Sequence, residues 1–551
     1  MAPLAGFIAE LGLSSRILIG IIVLLTVVWA VQQLFFTVRY PRNLPRIGGK
    51  SRFSLGMRWR YHTDTIGLYK EVYDNYSKKG KTVLVPGLGF HDDVILPPSA
   101  MRWLQRQPER LVSAAAAQTE AIQPYYGLGH DKFANDPWGG LLVKTDLNTI
   151  LENVCAAMND ELGLAIDSRF GTDSKAWKEI DLLPNIRLIV AQAATRFTLG
   201  GSPAGRELCR NEHYLKACLN IADSLVINAG LSSASPQLLR PVLGRLSGIS
   251  AKRQIKDLEK YFEPVYRERM RILEEETANP GIETPEDHIQ IMLRYAMKER
   301  RDEALNLHDM TKRLCIANFG SMHQTSIQVV NMLLNILDSD TEFNTISILR
   351  DEVARVFGDD KAAGWTKSRV AAMTRADSVA RETLRLHAFG SRAVTRRVVG
   401  DGVVTEDGIK LPKGSMVSFI SYGTQTDGDT FANPFKYDPF RFSRTREAEA
   451  DEQGKPGLTS LSFVSTGTQN LAFSHGKHAC PGRFLVDFEL KMIIAYVLMN
   501  YDVEFPPEYN GKRPQNTWLT EAYFPPDDVR IRVKRKPIRD ECTNRFQDEQ
   551  S

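Results

Sequence analysis

Cysteine is sparse in this chain of 551 residues. Its six cysteines, at positions 155, 209, 218, 315, 480 and 542, are scattered and include no C-x-x-C pair. This spacing excludes a dense disulfide framework and indicates mostly reduced thiols in a protein that faces the cytosol. A net charge of only +4 gives no indication of nucleic-acid binding. The chain also lacks internal repeats of about 20–50 residues, which argues against a solenoid or a propeller.

Long apolar runs are rare too, with one exception near the N-terminus. Residues 17–38 are predominantly apolar, and about 20 such residues suffice to cross a bilayer. The run lacks the short core and cleavage site of a signal peptide, which leaves a buried core helix as the alternative. Five basic residues follow within residues 39–52 and one precedes. The positive-inside rule therefore predicts a lumenal segment 1–16, a transmembrane anchor 17–38 and a basic Pro/Gly hinge 39–52 before a cytosolic remainder.

The remainder is rich in helical periodicity. Between about residues 145 and 390, apolar residues recur at i, i+3, i+4 and i+7, and the segment Met310–Leu337 is apolar almost all round, as a central buried helix would be. Strand-like pieces are short and lie near Thr82, after Arg397 and near Val529. The sequence predicts one mainly α domain with small β-sheets over residues 53–535.

Two polar stretches fall outside this pattern. Residues 445–457, TREAEADEQGKPG, are charged and poor in apolar side chains, which predicts a surface insertion. Residues 536–551 form a charged tail.

One short stretch concentrates chemistry, LAFSHGKHACPGRFL from Leu471 to Leu485. His475, His478 and Cys480 would supply three zinc ligands, but their spacing matches no common zinc pattern and no second Cys/His pair lies nearby. A redox thiol would need a resolving cysteine or a basic setting, and an inert buried cysteine is the commoner case.

A single thiolate directed at a larger group accounts for more of these residues. Pro481 is expected at the first position of the helix that follows, which places Cys480 at a helix N-terminus where unpaired N–H groups favour negative charge on sulfur. Gly476 and Gly482 permit close backbone approach, and Phe473 adds an aromatic ring. This arrangement suits the proximal ligand of a haem iron.

The same residues carry a family resemblance. The segment Phe473–Gly482 fits the F-x-x-G-x-x-x-C-x-G haem-binding pattern of the cytochrome P450 family at all four fixed positions. ETLR, Glu382–Arg385, resembles the family's E-x-x-R, and FKYDPFRF, Phe435–Phe442, resembles its P-x-R-F segment. The resemblance covers essentially the whole chain. It implies the cytochrome P450 fold, haem b as cofactor and Cys480 as axial ligand to the iron.

The resemblance also implies a structural network on the cysteine side of the haem. Glu382 and Arg385 would join Arg441 in a buried ion network. Alone, an E-x-x-R pair on a helix is an exposed contact that contributes only a few tenths of a kcal/mol.

Further haem contacts follow from the same resemblance. His478 occupies a position where the family often has a propionate-binding arginine, and Arg392 lies after the helix that carries Glu382 and Arg385, where a second such arginine is common. On the other haem edge, Trp138 and Lys144 correspond to the family's W-x-x-x-R, although their spacing differs. Lys144 is carried over as a third contact.

The central helix departs from the family pattern. In GSMHQTS, Gly320 and Ser321 take the small positions, His323 replaces the acid, Gln324 replaces the threonine and Thr325 follows. His323 would supply protons near neutral pH and Gln324 would orient water. A register shifted by one residue instead pairs Gln324 with Thr325.

The implied activity is that of a haem-thiolate monooxygenase oxidising a hydrophobic secondary metabolite with O2. The chain is similar to membrane-bound fungal members that act on terpenoids and polyketides, among them ent-kaurene oxidase and gibberellin-type, indole-diterpene and 2-pyridone pathway enzymes. Substrate contacts are expected from the central helix, from Ala388–Ser391 and from Thr517–Phe524. The alternatives are desaturation, ring expansion or rearrangement without oxygen insertion, and a membrane-anchored haem-binding protein.

The implied partners supply electrons. The chain has no G-x-G-x-x-G strand–helix unit of its own, so NADPH would act through NADPH–cytochrome P450 reductase, with cytochrome b5 as a further candidate. Lys477, Arg483 and Lys491 are the expected basic docking face. The implied location is the endoplasmic reticulum membrane, with a single span and the catalytic domain in the cytosol.

Overall fold

A computed structural model describes residues 20, 23–24, 26–49, 54–89, 91–358, 364–453 and 459–537. Helices dominate this part of the chain, as the periodicity predicted. In chain order they are α1 (Leu55–Thr63), α2 (Thr65–Asn75), α3 (Met101–Arg106), α4 (Ala114–Ile122), α5 (Pro124–Leu128), α6 (Lys132–Asn135), α7 (Trp138–Thr145), α8 (Leu147–Phe170), α9 (Leu182–Leu199), α10 (Pro203–Arg210), α11 (Glu212–Ala234), α12 (Arg240–Ala278), α13 (His288–Glu299), α14 (Arg301–Ala304), α15 (Leu307–Asn318), α16 (Gln324–Phe343), α17 (Thr345–Phe357), α18 (Lys367–Ala372), α19 (Thr374–His387), α20 (Ser421–Gln425), α21 (Arg441–Gln453) and α22 (Arg483–Asn500).

The strands are short. They are β1 (Val83–Pro86), β2 (Asp92–Ile95), β3 (Val112–Ser113), β4 (Lys178–Asp181), β5 (Arg392–Val398), β6 (Val403–Val404), β7 (Lys410–Leu411), β8 (Met416–Ile420), β9 (Tyr501–Glu504), β10 (Thr517–Leu519), β11 (Ala522–Phe524) and β12 (Arg530–Arg535).

These strands form four small sheets. The largest has the order β1-β2-β8-β5-β3, the next has the order β4-β12-β9, and β6-β7 and β10-β11 are two-stranded. Strand β2 pairs in parallel with β8, with Val94 opposite Val417, whereas the other strand pairs are antiparallel. The prediction of a mainly α domain with small sheets is confirmed.

The predicted central helix runs through the molecular core. Helix α15, a π-helical turn at Phe319–His323 and helix α16 follow one another without a break. Every residue of α16 from Thr325 to Leu337 is buried. The largest apolar cluster packs this helix with α8, α9, α19 and α22, so the segment is held on all sides.

The N-terminal segment is only partly described. Residues 26–31 are helical and Gln32–Phe36 form a π-helical turn, while residues 17–19, 21–22 and 25 of the predicted anchor and residues 1–16 lie outside the described residues. In the described part of the chain, no helix has both the length and the apolar character that a membrane span requires. Within the predicted hinge, Leu44 and Ile47 are buried against the domain.

The first part of the predicted surface insertion at residues 445–457 is helical. Helix α21 continues to Gln453, because arginine, glutamate, alanine and glutamine are good helix formers even without an apolar face. Residues 454–458 lie outside the described part, as do residues 538–551 of the predicted tail.

Candidate functional site

The loop that carries Cys480 folds back on itself. The Cys480 amide donates to the carbonyl oxygen of Phe473 at 2.8 Å, and the Phe473 ring packs edge-to-face on Phe463 with centroids 5.2 Å apart. Gly476 has a φ of +76°, and a Cβ there would approach the Gln105 side chain to 2.9 Å. Glycine at this position is required both by the left-handed backbone and by the close approach.

The helix after the cysteine begins later than predicted. Helix α22 starts at Arg483 with Gly482 as its N-cap, so Pro481 lies in the preceding turn and not at the first helical position. The backbone N–H groups of Gly482 and Arg483 face the Cys480 sulfur. Proline has no N–H, so the two following residues supply these donors.

Burial and two facing amides act on the Cys480 sulfur in opposite directions. Burial raises the pKa of Cys480 above its ordinary value of 9.0, and the amides of Gly482 and Arg483 with the Arg483 charge oppose that effect. A thiol that coordinates a metal ion loses its proton outright. The two amides then hydrogen-bond the charge on sulfur.

A cavity of about 910 Å³ lies against this loop. Ala479 and Pro481, the neighbours of Cys480, line it from one side, and Phe389 with Glu521 lines it from another. Its volume is at the upper end of the range of about 300–1,000 Å³ that ligand pockets occupy. One thiol with two facing amides, beside a large cavity with cationic side chains, fits a haem together with its propionates.

Of the predicted propionate contacts, Arg392 has other partners. It lines the cavity, but its guanidinium donates to Asp93 at 2.7 Å and to Glu521 at 2.8 Å. A guanidinium paired with two carboxylates has few donors left for a third anion.

The sequence reasoning missed Arg396 on the same strand. This arginine is 6% exposed, lines the cavity and donates to the carbonyl oxygen of Thr395. Burial lowers the pKa of Arg396, and the Glu109 carboxylate only partly opposes that effect. A bulge between Ala393 and Arg396 shifts the strand register, so alternation along RAVTRR does not reveal which arginine faces the cavity.

His478 and Lys144 both line the cavity, as their predicted roles require. The His478 Nε2 atom lies 3.4 Å from a carboxylate oxygen of Glu109. Burial and the Arg396 charge lower the pKa of His478, which favours the neutral ring, and the Glu109 carboxylate opposes this effect. A neutral ring donates a weaker hydrogen bond to an anion than the imidazolium does.

The structure brings Glu382, Arg385 and Arg441 together. Arg385 binds Glu382 in a bidentate pair with both distances 2.7 Å, and the Arg441 Nε atom donates to the same carboxylate at 3.1 Å. Glu382 is fully buried. Arg385 and Arg441 also donate to backbone carbonyls of the segment between α20 and α21, among them Pro434 and Ala432. The network therefore joins α19 to α21 and to the segment that precedes it.

His323, Gln324 and Thr325 are not among the residues that line this cavity. The His323 ring stacks on Phe319 and meets the edge of Phe389, which lines the cavity, at a centroid distance of 6.1 Å. Burial lowers the pKa of His323 below 6.5. A lowered pKa favours the neutral imidazole at pH 7, and the predicted role of His323 in supplying protons stays a prediction.

The predicted docking face loses one of its three cations. Lys491 is 1% exposed and binds Asp377 at 3.0 Å and Asp487 at 2.7 Å, so it is an internal ion pair. Position 491 lies on the side of α22 that packs into the core, which the sequence alone did not distinguish. Lys477 is exposed and Arg483 is half-buried.

Comparison with known proteins places this geometry in a family. A family model described as cytochrome P450 matches residues 142–533. The chain is 52% identical over 511 residues to the cytochrome P450 monooxygenase pbrC of Penicillium brasilianum. The alignment covers 92% of this chain and 94% of the relative. It is 51% identical over 512 residues to the cytochrome P450 monooxygenase astC of Aspergillus terreus, with the same coverage.

A third relative and a solved structure extend the comparison. The cytochrome P450 monooxygenase tenB of Beauveria bassiana is 40% identical over 551 residues, which covers 98% of this chain and all of the relative. The structure of retinoic acid bound cyanobacterial CYP120A1 superposes with a TM-score of 0.60 at 16% identity, over 87% of this chain and 96% of that one. At that identity the superposition supports the fold alone.

Proposed function

The chain belongs to the cytochrome P450 family and is a monooxygenase of that family, and from this premise we propose that it oxidises a hydrophobic secondary metabolite in a fungal pathway. The observation that carries the proposal is the Cys480 sulfur, faced by the amides of Gly482 and Arg483 beside a cavity of about 910 Å³. The relatives are fungal, which supports a terpenoid or a polyketide-derived compound as the substrate class.

Different residues of the chain have different roles at such a site. When bound through Cys480, haem b supplies the activation of O2. The Gly482 and Arg483 amides hold the negative charge on the sulfur. Arg396 and His478, which line the cavity, would hold the haem propionates. Phe389 lines the cavity and contacts the His323 ring.

The β10–β11 hairpin positions the substrate. It is joined to the loop after α19 by hydrogen bonds from the Tyr523 amide to Phe389 and from the Ser391 amide to Glu521. The Glu521 carboxylate accepts hydrogen bonds from Tyr61 at 2.7 Å and also from Arg392. A hairpin held this firmly forms a fixed wall, which favours attack at one substrate position over its neighbours.

Electrons reach the haem from NADPH through a separate reductase that docks on the cysteine side. Lys477 and Arg483 remain as basic groups for that contact. The N-terminal segment holds the enzyme at the endoplasmic reticulum membrane with the domain in the cytosol.

Replacement of the thiol tests the haem assignment. Cys480→Ala should remove the thiolate-type Soret band of the reduced, CO-bound protein, because Cys480 is the described cysteine whose neighbours, Ala479 and Pro481, line the cavity. Cys315→Ala is the matched control, because Cys315 is a buried thiol in α15 and should leave the band in place. An unchanged band in the Cys480 variant would overturn the ligand assignment.

Mass spectrometry of metabolite extracts from the source organism, with and without the gene, tests the reaction. A precursor that lacks one oxygen atom relative to the lost product supports oxygen insertion. The second candidate is desaturation, ring expansion or rearrangement, which Gln324 favours because an amide supplies no titrating proton. A mass difference of two hydrogens, or an equal formula, would establish that alternative.

A further inference from the structure

The cavity wall carries a buried carboxylate with one unpaired oxygen. Asp93, on β2, lines the cavity and is 3% exposed. Its Oδ2 atom accepts a hydrogen bond from Arg392 at 2.7 Å, whereas its Oδ1 atom has no hydrogen-bond partner among the described residues. Nearly all buried polar atoms in folded proteins have a partner. An unpaired oxygen on the wall of a ligand cavity therefore indicates a partner that enters the cavity.

His91 places a hydrogen-bond donor beside this oxygen. The His91 Nε2 atom lies 3.4 Å from Asp93 Oδ1, beyond the usual range of about 2.7–3.2 Å, and the residue also lines the cavity. Burial lowers the pKa of His91, but the Asp93 carboxylate outweighs that effect and raises the pKa above 6.5. The same carboxylate favours the tautomer with the proton on Nε2. His91 and Asp93 thus form a polar corner in which a donor and an acceptor stand side by side.

The surrounding residues hold Asp93 charged and in place. Burial raises the pKa of Asp93, but the charges of Arg392 and His91 outweigh it and hold the pKa below its ordinary value of 3.8. Arg392 is fixed in turn by Glu521, to which it donates at 2.8 Å. A Cβ at Gly87 would come within 2.7 Å of Asp93 Oδ2, so glycine there leaves room for the carboxylate. An ionised acceptor of this kind forms stronger hydrogen bonds than a neutral one.

The same cavity offers room for an apolar body. Ala114, Ala117 and Ala121 line it and are spaced by three and four residues, so one face of α4 presents only short side chains. Arg392, at the polar corner, and Arg396, assigned to the propionates, are four residues apart on β5. At about 3.3 Å per residue their backbones are at most about 13 Å apart. A ligand of comparable length, held at the polar corner by one end, places its other end toward the haem.

We propose that the polar corner binds a hydroxyl group of the substrate, so that the enzyme accepts a hydrophobic alcohol and oxidises it at a carbon remote from that hydroxyl. The hydroxyl hydrogen donates to Asp93 Oδ1, and the hydroxyl oxygen accepts from His91 Nε2. A hydroxyl group both donates and accepts, so it satisfies the two atoms at once. Asp93 is then a specificity-determining residue. The inference rests on the proposed monooxygenase function and names its substrate class.

Other polar groups fit the polar corner less well. An ammonium group only donates, and it would lie beside the Arg392 guanidinium that already binds the same carboxylate. A carboxylate would face the like charges of Asp93 and Glu521. An ether oxygen accepts from His91 but has no hydrogen to donate to Asp93. The hydroxyl group is the one that matches the acceptor and the donor together.

Equilibrium dialysis of the resting holoenzyme tests the hydroxyl site without turnover. The probes are 1-adamantanol and adamantane, which share one rigid apolar body and differ in a single hydroxyl group. Asp93→Asn should weaken the binding of 1-adamantanol relative to adamantane by about tenfold, because a neutral amide replaces a charged acceptor. A wild-type ratio of the two affinities in this variant would overturn the proposal.

Asp92→Asn is the matched control. Asp92 precedes Asp93 on β2, and alternation along the strand turns its side chain to the opposite face. There it accepts hydrogen bonds from Arg58 at 3.0 Å and from Arg46, and it is not among the residues that line the cavity. Asp92→Asn should leave the ratio of the two affinities unchanged. An equal loss in both variants would mean that any charge removed from β2 has this effect, and would overturn the proposal.

A crystal structure of the wild-type protein with 1-adamantanol serves if Asp93→Asn fails to fold. The alcohol oxygen should lie within hydrogen-bond distance of Asp93 Oδ1 and His91 Nε2. An alcohol oxygen bound elsewhere in the cavity would overturn the proposal.

The precursor that accumulates without the gene separates this inference from the proposed function. A precursor that lacks one oxygen atom relative to the product, and also lacks a hydroxyl group, would leave the monooxygenase standing and overturn the hydroxyl site. A hydroxylated precursor that differs from the product by two hydrogens would overturn oxygen insertion and support the hydroxyl site.

Discussion

His323 contacts the cavity wall through an aromatic ring. Its ring stacks on Phe319 and meets the edge of Phe389. Because burial lowers its pKa below 6.5, the neutral form predominates at pH 7. A neutral imidazole accepts a proton at one nitrogen and donates one from the other, so it passes protons on without holding a charge.

The first prediction follows from that role. His323→Ala should increase the hydrogen peroxide released per NADPH oxidised, because the variant has no imidazole at this position to pass on protons. His323→Gln should retain more coupling than the alanine variant, because an amide still bridges water. Peroxide and NADPH are measured together in the reconstituted system.

The matched control is another buried histidine. His288 stacks on Phe197 at a centroid distance of 5.4 Å, and burial lowers its pKa to about 4. His288→Ala should change stability and leave coupling unchanged. Equal coupling in His323→Ala and the wild type would remove His323 from proton delivery.

Residues at a fixed motif spacing could be predicted from the sequence. Arg396, whose position depends on a β-bulge, could not. Cys480 and the Glu382–Arg385 pair follow from spacing, because a turn or a helix fixes their relative positions. Arg396 depends on the register shift after Ala393, which three arginines in RAVTRR do not reveal. Lys491 was misplaced because a lysine in a helix is normally exposed, whereas here two aspartates enclose it.

At the scale of elements, the buried carboxylate of Glu382 joins α19 to α21. Glu382→Gln removes the negative charge that pairs with Arg385 and Arg441. The buried Arg385 guanidinium and the half-buried Arg441 guanidinium then lose their charged partner. We expect a loss of about 3–5 kcal/mol in the free energy of unfolding, because breaking a buried ion pair strands its partner. Denaturant unfolding measures the free energy, and the haem content of the purified protein reports whether the site still forms.

An exposed pair of the same chemistry supplies the control. Glu263 and Arg267 form an i,i+4 pair on α12 in which the arginine is 75% exposed. Glu263→Gln should change the free energy of unfolding by about 0.5 kcal/mol or less. Comparable losses in the two variants would mean that the Glu382 network adds nothing beyond a helix-surface pair.

Long elements were predictable from periodicity, and short ones were not. Helices α8, α12 and α16 each extend over twenty residues or more, so their apolar pattern repeats several times. Strands such as β3, with two residues, contain no full alternation, and their pairing is decided by distant segments. Helix α21 has no apolar stripe, so the same pattern could not predict it.

At the scale of the whole molecule, α22 brings ionisable groups into the largest apolar core. Lys491 there is neutralised by Asp377 and Asp487, and Glu489 has a carboxylate oxygen without a partner among the described residues. Burial raises the pKa of Glu489 to about 8 from its ordinary 4.5. The native state therefore holds a proton on Glu489 that the unfolded chain releases, and this difference changes the stability of the entire fold.

The raised pKa of Glu489 fixes the direction in which stability changes with pH. Between pH 4.5 and about 8 the native state binds more protons than the unfolded chain at this site, so stability falls as pH rises through that window. Glu489→Gln keeps the shape without the charge. It should leave the unfolding temperature unchanged near pH 4.5 and raise it above pH 8, where the difference in pKa corresponds to about 5 kcal/mol at most. Thermal unfolding across this pH range measures it.

Glu161 supplies the control of opposite sign. This buried carboxylate binds Arg210 at 3.0 Å and Gln192 at 2.6 Å, and these hydrogen bonds hold its pKa below 4.5 despite burial. Its contribution is present above pH 4.5 and is lost as pH falls through the lowered pKa, so Glu161→Gln should destabilise the protein at neutral pH. If Glu489→Gln also destabilised the protein above pH 8, Glu489 would be charged and solvated in the folded state, and the dry core around α22 would have to admit water.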